Sequence, residues 1–301
     1  MEYLGGLGVF VTIQGYLEDR FKGHWITEIF TLQVVTFILV IFLIGNLLRI
    51  INTHRTEKKR YSREFLKKSS IGYEVGSFWD VVKRYEKEEE LAIILGVNNR
   101  FNLDGSYLNN RSLVYDFVCQ MGKEKVNDLH NDIAETFNAK RVSVDESGSP
   151  VYEYGSIHVV GKMEGIHYET GLLAMCEPSK SKISQRFQSE RKILSQAFEK
   201  MFEEMPGIFT NSIIIIPLIG TSSSGSPLSH EEVAKYLISA FADYSRIQDG
   251  RLAKRFIISI YHQDIKNNYI HLEDIKRHID NECDSREFSY SKIKFQLESG
   301  A

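Results

Sequence analysis

Apolar positions recur along this chain in three rhythms. The first is continuous: Ile29 to Ile51 (IFTLQVVTFILVIFLIGNLLRII) is broken only at Gln33, Thr36, Gly45, Asn46 and Arg49. That length meets the ~20 residues a bilayer core demands, so a transmembrane span is predicted over 29–51. The second rhythm is short and unbroken, in Ile71–Val75, Leu91–Val97 (LAIILGV), Ile213–Ile216 and Arg255–Tyr261 (RFIISIY). Such runs cannot alternate between a wet and a dry face, and they predict strands in a sheet covered on both sides. Val151–Val160 and Ile166–Met175, rich in β-branched and aromatic residues, predict antiparallel neighbours around a turn at Gly161–Gly165. The third rhythm is helical. It covers Phe78–Lys87 with Trp79, Val82 and Tyr85 inward, a segment capped by Ser112, and Lys123–Phe137. It returns in Ile183–Met205, in a helix capped by Ser229 with Val233, Tyr236, Leu237, Ala240 and Phe241 inward, and in Ile270–Ile279.

Strands alternating with helices, plus one hairpin, predict an α/β domain: a mixed sheet between helical layers, preceded by a membrane segment. The expected division is a membrane region over 1–52, a basic linker over 53–70 and one globular domain over 71–301. Within the first, Tyr3–Leu17 reads either as a second, shorter span or as an interfacial segment. Arg49, Arg55, Lys58, Lys59, Arg60, Arg63, Lys67 and Lys68 follow the clear span. By the positive-inside rule they put the C-terminal part in the cytoplasm, and they offer anionic lipid headgroups a contact. A net charge of −3 over 301 residues gives no field that calls for nucleic acid. Cys119, Cys176 and Cys283 are far apart and lack CxxC spacing, which argues against a disulfide framework or a zinc site.

The candidate chemistry lies where the apolar runs end. After Pro217 come Leu218, Ile219, Gly220, Thr221, Ser222, Ser223, Ser224 and Gly225, and then the helix capped by Ser229. A strand, a loop of small residues and a helix N-terminus form a geometry that binds phosphate through backbone N–H groups. Without a lysine this is no Walker loop; it suits a diphosphate that is bound and not cleaved. The same composition also describes a plain surface loop. Asn98-Asn99-Arg100-Phe101-Asn102 leaves a buried strand at the end where open α/β sheets place ligands. Tyr261 ends another such strand and reads as a stacking ring or as a rim tyrosine. Amides for ribose hydroxyls, N–H groups for phosphates and a ring for a base suit a nucleotide diphosphate. HExxH, GxSxG and a Cys–His signature are missing, and Ser222–Ser224 have no adjacent base. The expectation is therefore a binder, with no catalytic residue, no metal ligand and no resident cofactor.

The patterns IIIIPLIGTSSSG, LGVNNRFN and YEYGSIHVV together resemble a divergent macro domain. More closely, the chain is similar to the membrane-anchored macro-domain effectors of Thoeris anti-phage defence. The resemblance implies that a TIR-domain partner makes an ADP-ribose-derived messenger, a histidine–ADP-ribose conjugate. The effector, held in the bacterial inner membrane, would bind it, assemble as a homo-oligomer and damage that membrane, stopping the cell before phage spread. It further implies that Leu218 and Gly220 to Gly225 hold the diphosphate, with Asn98, Asn99 and Phe101 near the distal ribose. Asp80, or Ser77 before it, would read the adenine amino group, and Tyr261 would lie against the base. The chain departs from the family where Asn102-Leu103-Asp104-Gly105-Ser106 replaces a glycine-rich loop. An anchored hydrolase of ADP-ribose adducts and a tethered scaffold that binds nothing are the alternatives.

Overall fold

A computed structural model describes residues 36–46, 59–66, 69–103, 108–137, 141–144, 148–176, 191–209, 211–220, 228–248 and 252–299. The chain divides into two units, Met1–Lys58 and Lys59–Ala301. In the first, residues 36–46 form helix α1, with Phe37 to Ile44 exposed. Eleven helical residues rise about 16 Å, roughly half of a bilayer's hydrocarbon core. Among the described residues no helix is long and apolar enough to cross a membrane. That finding overturns the anchored architecture and the inner-membrane location expected from the sequence. The remainder of 29–51, and all of 3–17, lie outside the described residues. Asn46 donates from Nδ2 to the Phe42 carbonyl at 2.9 Å within its own helix.

The second unit is built on a seven-stranded sheet, ordered β1 (Arg60–Phe65), β2 (Ser69–Val75), β9 (Arg255–Ile260), β8 (Ile213–Pro217), β3 (Leu91–Asn98), β7 (Glu169–Cys176) and β6 (Ile157–Val160). The five inner strands run parallel, and β1 and β6 are antiparallel edges. Ile213, Ile214, Ile215 and Ile216 are all buried. Alternate isoleucines of β8 face two different cores, and each buried side chain is worth roughly 1.5–3 kcal/mol. Pro217 ends the strand because it brings no N–H to the ladder.

One core is closed by α5 (Arg191–Ile208), α6 (His230–Ile247) and α8 (Leu272–Ser299), which supply Phe202, Phe241 and Ile275 among others. The other is closed by α2 (Phe78–Arg84), α3 (Leu113–Met121) and α4 (Lys123–Thr136), through Val81, Phe117 and Ile133. Ser112 caps α3 as expected, and Ser229 caps α6 in a full capping box with Glu232. Two elements differ from the sequence reading. Val151 and Tyr152 belong to β5 (Pro150–Tyr152), which pairs with β4 (Arg141–Val144) in a separate ribbon, so only Ile157–Val160 joins β7. The expected linker over 53–70 contains β1. Its basic residues Arg60 and Arg63 make internal ion pairs, with Glu74 at 3.3 Å and with Asp280 at 3.2 Å. Charges alternating with Tyr61 and Phe65 suit an edge strand with one wet side, a pattern the run of positive charge obscured.

β6 also carries a buried histidine. His158 is 3% exposed, and its Nε2 lies 3.1 Å from the Asp132 carboxylate without the alignment of a hydrogen bond. Burial holds its pKa below the ordinary 6.5, outweighing the attraction of Asp132. The unfolded chain therefore binds the proton more readily than the folded one does. Stability should fall as pH drops below about 6.5, and His158→Gln should remove part of that loss. Chemical denaturation across a pH series reads both outcomes.

Candidate functional site

Adjacent parallel strands whose following helices lie on opposite faces leave a crevice beyond their C-terminal ends. Here β3 leads to α3 on one face, while its neighbour β8 leads to α6 on the other. The crevice therefore opens between the Asn98 turn and the bend at Gly220. Val75 and Ile260, at the ends of β2 and β9, continue the same edge.

The Asn98 turn is built from inside. Asn98 is 1% exposed, and its Oδ1 accepts from the backbone N–H groups of Arg100 at 3.0 Å and Asn102 at 3.2 Å. This amide shapes the loop, as short polar side chains do in Asx turns. Asn99 is different. Its backbone is pinned on both sides, its N–H donating to the Cys176 carbonyl and its own carbonyl accepting from the Tyr152 N–H, each at 2.8 Å. Its side chain is 5% exposed, and among the described residues Oδ1 has no hydrogen-bond partner. A buried acceptor left unpaired costs about 1–3 kcal/mol, a cost that a ligand hydroxyl or amine can offset.

Phe101, expected beside the distal ribose, is instead fully buried at φ 51° and packs on Phe137 and Tyr152. An aromatic ring three residues past a strand end finds more apolar surface inward than at the rim. His130 holds the same turn from α4, its Nε2 3.1 Å from the Phe101 carbonyl and 3.4 Å from the Leu103 nitrogen. The sequence carried no signal for that long-range contact.

On the other side Ile219 donates its N–H to the Pro217 carbonyl at 2.8 Å, turning the chain sharply after β8. Gly220 follows at φ 91°, and Leu218 is half-buried beside it. Thr221, Ser222, Ser223, Ser224 and Gly225 lie outside the described residues. The helix that follows departs from the expected cradle. Glu232 Oε2 takes the Ser229 N–H at 2.8 Å, and the Glu232 N–H is bonded to Ser229 Oγ at 3.2 Å. The Ser229 backbone N–H holds the Glu232 carboxyl below its usual range. With Glu231 and Glu232 in its first turn, α6 offers a phosphate little attraction. Any grip on a diphosphate falls to the backbone of the bend and loop.

Asp80 is exposed in the first turn of α2, its N–H bonded to Ser77 Oγ at 3.3 Å. Tyr261, 48% exposed, follows β9 at the N-cap of the short helix α7 (His262–Lys266) and is tilted against His262 with ring centres 4.4 Å apart. Next to it Asp264 sits 3.5 Å from His230, whose ring stacks on Tyr269. Burial raises the Asp264 pKa, while His230 and His262 oppose the rise. Strand order thus brings Asn98, Asn99, Leu218 and Gly220 to one crevice, with Asp80 and Tyr261 farther along the same edge.

A family description, Thoeris protein ThsA, Macro domain, matches residues 80–261, well over half of the chain. The chain belongs to the ThsA macro-domain family. Among solved structures it is similar to the Oceanobacillus iheyensis macrodomain with ADP, at 12% identity over 74% of this chain and 95% of that one, with a TM-score of 0.45. It is also similar to the poly(ADP-ribose) glycohydrolase of Deinococcus radiodurans in complex with ADP-ribose, at 9% identity over 72% and 86%, with a TM-score of 0.38. No curated protein matches the sequence.

One glycine holds this ThsA macro domain's crevice together, and the sequence reading passed over it. A Cβ at Gly96 of β3 would lie 2.1 Å from Met175 Sδ and 2.3 Å from Ile219 Cγ2. The bare backbone lets β7 and the bend after β8 close over β3. Gly96→Ala should cost about 1–3 kcal/mol through overpacking, read as a lowered midpoint in denaturant.

Proposed function

We propose that this ThsA macro domain is a sensor that binds an ADP-ribose-derived messenger in the crevice between β3 and β8. The observation that carries the reading is the buried, unpartnered Asn99 Oδ1, at the end of a strand whose loop is already fixed by Asn98. A pre-shaped acceptor of this kind suits a ribose hydroxyl. Across the crevice the bend at Gly220 presents backbone in place of side chains, which suits a pyrophosphate. Family membership supports the same ligand class, because Thoeris systems are read as using a messenger of this chemistry. The messenger is taken to be a histidine–ADP-ribose conjugate supplied by a TIR-domain protein, and its binding to drive self-assembly in anti-phage defence. The domain is proposed as a binder and not as a hydrolase of such adducts. Binding shifts assembly only as far as the ligand prefers the assembled state.

Calorimetry with ADP-ribose tests the site. Asn99→Ala should weaken binding by roughly 5- to 150-fold, the equivalent of about 1–3 kcal/mol, without lowering the melting temperature of the ligand-free protein. Equal affinity in wild type and variant would remove the crevice from the account. Incubation with ADP-ribose conjugates separates the two activities: steady release of product would make the protein a hydrolase. Light scattering with and without ligand reads assembly.

A further inference from the structure

A second cavity lies away from the crevice, beside β1 and β2 on the sheet face that carries α2. It has a volume of about 240 Å³ and is lined by Arg60, Ser62, Gly72, Glu74, Tyr85 and Arg255, with Ile257 at its inner edge. Residues two apart on a strand share a face, so Arg60 and Ser62 of β1, Gly72 and Glu74 of β2, and Arg255 and Ile257 of β9 all belong here. Gly72 leaves the floor bare; a Cβ there would come 2.0 Å from the Tyr61 carbonyl oxygen.

The charges in this cavity do not balance. Glu74 is 5% exposed. Its Oε2 meets Arg84 at 2.7 Å and Arg60 at 3.3 Å, and its Oε1 accepts from the Tyr85 hydroxyl. Arg255 reaches the same hydroxyl, and its Nε donates to Ser70 Oγ at 3.3 Å. Among the described residues Arg255 has no carboxylate partner, and Glu64, on the same face of β1, is exposed and makes no ion pair. Two guanidinium groups, of Arg84 and Arg60, thus meet one carboxylate, and a third, of Arg255, lines the same cavity. One carboxylate balances one of the three, so a surplus of positive charge faces a part-enclosed space. Like charges sharing such a space repel, less so where water reaches them as at the half-exposed Arg60, and an anion between them offsets that repulsion.

We propose that this cavity binds a compact oxyanion, a phosphate or phosphomonoester, between Arg60 and Arg255. The volume falls below the 300–1,000 Å³ usual for drug-sized ligands, so it fits a single phosphoryl group and excludes a dinucleotide. Planar guanidinium forks match a phosphate's oxygens in pairs, and the Ser62 and Tyr85 hydroxyls complete the ring of polar groups. The site is separate from the messenger crevice and does not rest on that function.

The test is a titration of the full chain at constant ionic strength, with inorganic phosphate in one arm and glycerol 3-phosphate in the other, read by calorimetry. One equivalent should bind in at least one arm, and the tighter arm tells free phosphate from a phosphomonoester. Arg255→Gln should weaken binding at least tenfold, whereas Gly220→Leu, in the crevice, should leave it unchanged. Arg60→Gln, on the half-exposed edge strand, gives the same readout should Arg255→Gln lower the melting temperature. Absence of binding in both arms up to about 10 mM overturns the proposal. So does equal affinity in both arginine variants, or loss of binding in Gly220→Leu, which would place the anion in the crevice.

Discussion

Strand β8 buries isoleucine on both faces, and that constraint organises the rest of the unit. Apolar surface on two sides demands two helical layers. With helices in both layers, the chain leaving β3 and the chain leaving its neighbour β8 depart to opposite faces. The gap between β3 and β8 is a result of that departure and not a separate device. Gly96 lets the gap close to a useful width, because Met175 and Ile219 occupy the space a side chain would take. The ligand-binding geometry and the hydrophobic core are therefore two aspects of the same packing.

The buried strands were legible because four residues of unbroken aliphatic character have few other destinations. The caps were legible as well, since Ser112 and Ser229 act within three residues of themselves. What the sequence concealed depends on partners distant in the chain. Phe101, expected near the distal ribose, is covered by Phe137 and Tyr152. The His130 clamp spans nearly thirty positions. The two asparagines were read as equals, yet Asn98 is spent on the loop's own backbone and Asn99 is not. Only coordinates separate an amide that builds a site from one that serves it.

Charge misled more than hydrophobicity did. The basic stretch after Arg49 suggests a membrane-facing linker, but Arg60 and Arg63 serve the folded unit. The α6 N-terminus was expected to attract phosphate, yet its first turn carries two glutamates and a closed capping box. In both cases the sign of a local cluster was read without its neighbours in space. Coulomb terms reach across strands and helices, so they resist one-dimensional reading in a way that periodicity does not.

The pairing of Arg63 with Asp280, together with the Tyr61 hydroxyl on the same carboxylate, has a mechanical meaning. It buttons the first strand of the unit to its long C-terminal helix. Peeling β1 from the sheet would have to break this clasp on α8 as well as the β1–β2 ladder. The clasp is half-exposed and ionic, so it would loosen with added salt while the aliphatic interior held.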